Sequence, residues 1–138
     1  MAITERYCNP DLATGLNDGT SEANAWQSLS TAASSYAAGQ RVNIKRTSSR
    51  DASGNVTFAT SATALAPVHI RGYTSTIGDG GMYQTSGGLT FSGDVMLVEG
   101  IDTERSSSYS QPFVMGSNGG IAYRCRSKNT DPTSVCRA

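Results

Sequence analysis

Two acidic side chains in the C-terminal third of the chain have the type and spacing that acid–base chemistry requires. Asp102 and Glu104 lie two residues apart in the segment GIDTERS. In an extended strand, side chains at positions i and i+2 point to the same side, about 7 Å apart. Carboxylate pairs roughly 5–9.5 Å apart cleave glycosidic bonds. The pair is the best catalytic candidate in the sequence, and the alternative is a solvated outer face of paired charges, which Arg105 beside it favours.

Two further aspartates lie in glycine-containing turns. Asp18 belongs to NDGT and Asp79 to GDGG. Aspartates at such positions accept hydrogen bonds from nearby backbone N–H groups, and this turn role is the prediction for both. We therefore expect no cofactor and no metal, with a calcium ion at either turn as the alternative.

The three cysteines and the single histidine match no metal-binding pattern. Cys8, Cys125 and Cys136 are odd in number, which argues against a closed disulfide framework, and His69 cannot complete a zinc site with them. Cys8 and Cys125 are predicted to be small apolar core residues. Cys136 is either exposed or paired with Cys125. His69 is predicted to face outward as a surface residue.

Three tyrosines are the candidate binding residues. Tyr73, Tyr83 and Tyr109 are predicted at loop positions, where their rings could stack on sugars or on a partner subunit. The alternative for all three is packing at the rim of the core.

The composition excludes several function classes. The chain has 138 residues, enough for one domain, and its eleven basic residues balance eleven acidic ones. No net field therefore favours nucleic acid or an anionic membrane. No apolar run approaches the roughly 18 residues of a membrane span, and the N-terminus lacks the pattern of a signal peptide. Hydrophobic residues make up 37%, and abundant Ser, Thr, Gly and Asn favour an all-β chain with many turns.

One helix and a series of short strands must position these side chains. Apolar residues at helical spacing run from Leu29 to Ala37, and Gly39 is predicted to end this helix. The apolar period then changes from 3.6 to 2. The predicted strands are Arg6–Asn9, Arg41–Arg46, Asn55–Thr60, Ala66–Tyr73, Gly88–Gly93, Asp94–Asp102, Gln111–Gly116 and Gly120–Ser127.

The strands contain a repeat. Four apolar pairs recur after 26, 28 and 25 residues, namely Val42-x-Ile44, Val68-x-Ile70, Met96-x-Val98 and Ile121-x-Tyr123. This period predicts parallel strands stacked about 4.8 Å apart, one coil per repeat. The alignment places Glu99 between Arg71 and Arg124 on neighbouring coils, where each opposite-charge pair is worth roughly 0.2–1 kcal/mol.

Five motifs together resemble a known family. YCNP, GLNDGT, AWQSL, AAGQRVNIK and APVHIRGY followed by GDGG are similar to the N-terminal part of right-handed parallel β-helix proteins of the pectate-lyase-like superfamily. The last motif resembles a coil of β-helix proteins encoded by bacteriophages. The resemblance extends from Tyr7 to about Asn129, and it is more specific for architecture than for activity.

The resemblance implies an all-β fold, a short right-handed parallel β-helix of about four coils with an N-terminal capping α-helix. The single domain of residues 1–138 would comprise an N-terminal strand and capping helix (1–40), coils (41–130) and a tail (131–138). The cap would be the Trp26–Ala38 helix. Structural roles are predicted for Trp26 at the start of this cap, for Gly39 at the end of the helix, and for Arg71, Glu99 and Arg124 from the alignment of the repeats.

The resemblance also implies a function. We expect a non-enzymatic component of a bacteriophage virion, a capsid decoration or a tail fibre or spike, which projects rigidly and binds through its surface. Its partners would be copies of itself, as a trimer, other virion proteins and a host-surface glycan, with no nucleic acid and no membrane. The alternatives are a polysaccharide lyase or glycosidase acting on acidic glycans, and a carbohydrate-binding module without catalysis.

Overall fold

The computed structural model describes residues 3–52, 54–105, 113–116 and 118–129, which form one short helix and a series of strands. The elements are β1 (Thr4–Cys8), α1 (Leu29–Ser35), β2 (Gln40–Lys45), β3 (Val56–Phe58), β4 (Val68–Tyr73), β5 (Tyr83–Thr85), β6 (Leu89–Phe91), β7 (Met96–Glu99), β8 (Ile101–Arg105), β9 (Phe113–Met115), β10 (Ile121–Tyr123) and β11 (Arg126–Asn129).

The strands form three parallel sheets. The largest has the order β1-β2-β4-β7-β10, and two smaller sheets have the orders β11-β8-β5 and β3-β6-β9. The helix α1 lies between the neighbours β1 and β2 in sequence, and every other pair of neighbours is separated by one or more strands of the other two sheets. Parallel pairing requires such crossover connections. Consequently each sheet places residues about one repeat apart in sequence side by side.

The predicted β-helix of about four coils is corrected by this topology. The described strands make three separate sheets of five, three and three strands, and no closed β-helix is formed by them. Most strands of the two smaller sheets have only three residues, so their ladders are short. From β2 onward, strands that follow one another along the chain belong to different sheets. The all-β class is confirmed, whereas the division of the chain into cap, coils and tail stays a prediction, with the tail outside the described residues.

The register of the large sheet differs in part from the predicted one. Val68 faces Met96 as predicted, but Val42 faces Ile70 instead of Val68. A shift by two residues keeps side chains on the same face, so both Val42 and Ile70 remain buried. Ile121 faces Leu97 instead of Met96, and this one-residue shift turns its side chain outward.

Of the two arginines predicted to flank Glu99 on neighbouring strands, only one does so. Arg71 faces Glu99 across β4 and β7. Tyr123, and not Arg124, faces Glu99 from β10. Arg124 has a positive φ of 52° and donates a hydrogen bond to the carbonyl of Gly80, so it ties the end of β10 to the turn before β5.

The helix is shorter than the predicted Trp26–Ala38. Ser28 begins it, because its hydroxyl accepts a hydrogen bond from the N–H of Thr31. Trp26 lies before the helix. Its N–H donates a hydrogen bond to the carbonyl of Tyr7 in β1, and its carbonyl accepts one from the N–H of Asn9. The helix ends at Tyr36, so Gly39 is not its cap. Gly39 instead takes a positive φ of 76° in the turn that leads into β2.

The core lies between the sheets and the helix. Inward side chains of the large sheet, such as Val42, Ile70 and Val98, are fully buried. On the β3-β6-β9 sheet, the rings of Phe58 and Phe91 stack with centroids 5.4 Å apart. Aromatic pairs of this kind add to the stabilisation from apolar burial.

Candidate functional site

The predicted catalytic pair lies on β8, at the outer face of the β11-β8-β5 sheet. Strand register places Gln84, Asp102 and Arg126 in one row across this sheet. Asp51 bridges to Thr85, which brings the preceding residue, Arg50, beside the same row. The parallel pairing of strands therefore brings Arg50 and Arg126 close together, although they are far apart in the sequence.

Asp102 is enclosed by cations and an amide. Its side chain is 1% exposed. Arg126 contacts both carboxylate oxygens, with Nε 3.0 Å from Oδ1 and Nη2 2.6 Å from Oδ2. Gln84 Nε2 and Arg50 Nη2 also donate to Oδ2, at 3.0 and 3.2 Å. Of the alternative, an outer face that is solvated and partly ion-paired, the ion pairing is present, but Asp102 is not solvated because three neighbouring side chains cover it.

Glu104 completes the same cluster. Lys128 faces it across β8 and β11, with Nζ 3.5 Å from one carboxylate oxygen. Arg50 Nη2, which contacts Asp102, also lies 3.2 Å from Glu104 Oε2. A single guanidinium nitrogen therefore occupies the space between the two carboxylates, where a glycosidase places the scissile bond or a water.

The electrostatics of Asp102 do not suit a general acid. Hydrogen bonding from Arg126 holds the pKa of Asp102 below its usual value of 3.8, against the opposing effect of burial. A glycosidase acid needs a carboxyl pKa raised toward neutrality. The Asp102 carboxylate is instead ionised, and its contacts join strands β5, β8 and β11 with the Arg50 segment.

His69 lies in a second polar network, on the outer face of the large sheet. The prediction that it is a surface residue is corrected, because it is only 9% exposed. Arg41 Nε donates to His69 Nδ1 at 2.9 Å. His69 Nε2 lies 3.3 Å from Glu99 Oε2, but without the geometry of a hydrogen bond. Burial, and then the charge of Arg41, lower the pKa of His69.

The same face carries further cross-strand contacts. Arg41 Nη1 and Asn43 Nδ2 both donate to the carboxylate of Glu5, at 2.9 and 2.7 Å. Arg71 donates from Nε and Nη2 to Asn43 Oδ1, at 3.1 and 2.9 Å. Sequence reasoning found Arg71 and Glu99 from their repeat positions, but it missed Asn43 and Glu5, whose partners are set by the register.

The candidate sugar-binding tyrosines are placed differently from the prediction. Tyr73 and Tyr83 lie in strands β4 and β5, not in loops, and are 1% and 0% exposed. The Tyr83 hydroxyl donates to Asp51. Neither ring offers a free face for stacking on a sugar. Tyr109 lies outside the described residues.

The two turn aspartates bind their own loops. Asp79 accepts hydrogen bonds from the backbone N–H groups of Ser75 and Gly81 at 2.8 and 2.7 Å, and these bonds lower its pKa. Asp18 accepts from the N–H and hydroxyl of Thr20 at 2.9 and 2.7 Å, and its pKa is also lowered. Among the described residues, no three His, Cys, Asp or Glu side chains group together as metal ligands.

Two of the three cysteines can be placed. Cys8 is fully buried, and burial raises the pKa of its thiol well above the usual range. Cys125 is partly buried and packs against the core, where burial likewise raises its pKa. Both occupy the predicted core positions as free thiols. Cys136 lies outside the described residues.

An exposed apolar strand is the surface feature that sequence reasoning missed. Ile121 and Tyr123 of β10 are 63% and 58% exposed, although their pattern predicted inward positions. β10 pairs with β7 on one side and, on the other, with no strand that the structure describes. The signal that could have revealed this is the flanking sequence, because glycines before β10 and arginines after it are unusual for a buried strand.

No family model, curated protein or solved structure matches the chain. The resemblance to β-helix proteins of the pectate-lyase-like superfamily and of bacteriophages therefore stays a prediction. Within the described part of the chain, no helix is both long enough and apolar enough to cross a membrane.

Proposed function

We propose that this protein is a non-enzymatic structural or adhesion component of a bacteriophage particle, at the capsid surface or in a tail fibre or spike. It acts as a rigid scaffold of parallel strands that binds partners through its surface. Two lines of reasoning support the proposal: the phage-like motifs of the sequence, and the ion pairing of the two acids that an enzyme would use.

The observation that carries the proposal is the enclosure of Asp102. Its two carboxylate oxygens are occupied by Arg50, Gln84 and Arg126, and the contact of Arg50 with Glu104 fills the space between the acids. A catalytic pair must instead leave one oxygen free for substrate and tune the two pKa values apart. The arrangement supports a cross-linking role that stiffens the sheet.

The two parts of the proposal have separate tests. The purified protein is incubated with a panel of acidic polysaccharides, and new reducing ends and unsaturated sugars are measured. We expect no cleavage, and cleavage that Asp102→Asn abolishes in a folded protein would overturn the non-enzymatic role. Mass spectrometry of particles from the strain that carries the gene tests the location. The chain should be found in the particle fraction, and its presence only in the soluble fraction would contradict the virion assignment.

A further inference from the structure

We infer that copies of this chain associate head to tail, with the β10 end of one copy against the β1 end of the next. The basic end comprises β9, β10 and β11, within residues 113–129. The acidic end comprises residues 3–27, which include β1 and the segment after it that covers part of its outer edge. The inference rests on the proposed function only in treating the protein as a scaffold that assembles.

The charges of the two ends are opposite. Residues 113–116 and 118–129 include three basic side chains and no acidic one, with the cations at Arg124, Arg126 and Lys128. Residues 3–27 include one basic side chain, Arg6, and four acidic ones at Glu5, Asp11, Asp18 and Glu22. The whole chain is neutral, so this asymmetry is a property of the ends. Complementary charges of this kind steer association and fix its orientation.

The cations of the basic end remain accessible despite their internal partners. Arg126 pairs with Asp102, and Lys128 pairs with Glu104, yet each cation leaves 63% of its side chain exposed. Asp102 is buried beneath them, and Glu104 is one-third exposed. A partner therefore meets mainly positive charge at this end. At the acidic end, Asp11, Asp18 and Glu22 are all exposed.

Exposed apolar side chains lie at the same two ends. Of the five large hydrophobic residues that are exposed in the described structure, two are on β10, Ile121 and Tyr123. Two others belong to the acidic end, Ile3 at 42% and Leu16 at 74%. Leu65 alone lies elsewhere, in the turn before the central strand β4. Apolar residues ringed by charge mark protein contact surfaces more than single exposed ones do.

The two ends differ in backbone as well as in charge. The outer edge of β1 is occupied, because Tyr7 N–H donates to Gly19 at 3.1 Å and Trp26 N–H donates to Tyr7 at 2.9 Å. The outer edge of β10 is paired with no described strand. Like ends would place like charges together, whereas unlike ends place cations against carboxylates. A contact between unlike surfaces repeats from copy to copy unless the rotation closes a ring.

The experiment measures the mass of the intact protein by sedimentation over a concentration series, at low and at high salt. We expect concentration-dependent association that weakens as salt screens the charges. Leu16→Gln at the acidic end and Ile121→Gln at the basic end should each weaken association about tenfold, because each removes one apolar side chain that association would bury. Leu65→Gln is the matched control and should associate like the wild type. Circular dichroism establishes that all variants are folded.

Mixing the two variants tests the orientation. Each retains one intact end, so an equimolar mixture of Leu16→Gln and Ile121→Gln should associate more tightly than either alone and stop largely at a one-to-one pair. Wild-type protein that stays monomeric at all concentrations would overturn the inference. So would Leu16→Gln protein that associates like the wild type, since that result shows pairing of like ends or another surface. None of these outcomes involves glycan cleavage, so the proposed function stands or falls separately.

Discussion

Arg41 on β2 donates a hydrogen bond from Nε to Nδ1 of His69 on β4, over 2.9 Å. A guanidinium cannot accept a hydrogen bond, so Nδ1 must carry the lone pair. The imidazole is therefore neutral, with its proton on Nε2, beside Glu99. Protonation of Nδ1 would break this contact and place a second cation next to Arg41, with Arg71 on the same strand.

The stability of the protein should consequently depend on pH in the range where histidine titrates. The pKa of His69 is lowered in the folded protein from its ordinary value of 6.5. At a pH between the folded and the unfolded pKa, the unfolded chain therefore binds a proton that the folded chain does not. The free energy of unfolding should be constant between about pH 6.5 and 8, below the ordinary thiol pKa, and should fall below pH 6.5 by at most about 1.4 kcal/mol per pH unit. Denaturant unfolding at a series of pH values measures it.

The control for this prediction is His69→Gln. This variant should lose the slope between about pH 5 and 6.5, a window fixed by the ordinary histidine pKa. The carboxylates of Asp79 and Asp102 have pKa values lowered from 3.8, so their contribution is lost only at lower pH. A wild-type protein whose stability is flat across this window would contradict the neutral, Arg41-bound histidine.

Gly72 should not tolerate a side chain. A Cβ atom there would collide with the carbonyl oxygen of Gly100 and lie 2.6 Å from the backbone nitrogen of Tyr83. Both are backbone atoms, so they cannot move without disturbing the strands. Gly72→Ala should lower the free energy of unfolding by about 2 kcal/mol or more. At Gly54 an added Cβ meets nothing within 4 Å. Gly54→Ala should therefore change stability by less than about 0.5 kcal/mol. Equal losses of stability in the two variants would contradict the close backbone contacts at Gly72.

Arg50 should be important for stability although it lies outside the named strands. Its guanidinium contacts Asp102, Glu104 and the carbonyl of Thr85. Arg50→Met leaves the buried Asp102 with fewer partners and should cost about 1–3 kcal/mol. Arg46→Met is the matched control, because Arg46 is exposed and should change stability by less than about 0.5 kcal/mol. Thermal unfolding of both variants at neutral pH compares them, and an equal loss in both would refute the role of Arg50.

The sequence predicts the strand content and the parallel pairing better than the closure of the chain. The recurrence of Val42, Val68 and Met96 reflects apolar residues that must face one core, and burial enforces this period. Whether the strands close into a β-helix depends on the turns between them, whose glycines and serines permit many paths. The β-helix prediction was wrong about closure, because the apolar period carries no information on the path of the turns.

In the candidate site, the sequence likewise predicts the local spacing of side chains but not their neighbours on other strands. The spacing of Asp102 and Glu104 correctly places both side chains on one face of β8. Their chemical role depends on Arg50 and Arg126, which are brought near only by pairing across three strands. Ile121 shows the opposite error, because one residue of register turned a predicted core position into an exposed one. Local spacing is readable from sequence, whereas the identity of cross-strand neighbours depends on loop lengths.

The central claim, that the acidic pair holds the sheet together and does not catalyse, is tested most directly by the free energy of unfolding of Asp102→Asn beside Glu104→Gln. An ion-paired structural carboxylate should be costly to neutralise, so Asp102→Asn should lose about 2 kcal/mol or more and Glu104→Gln, which is more exposed, clearly less. Residues selected for catalysis usually cost stability, and neutralising one leaves it unchanged or raises it. An Asp102→Asn protein as stable as the wild type, or more stable, would therefore contradict the account.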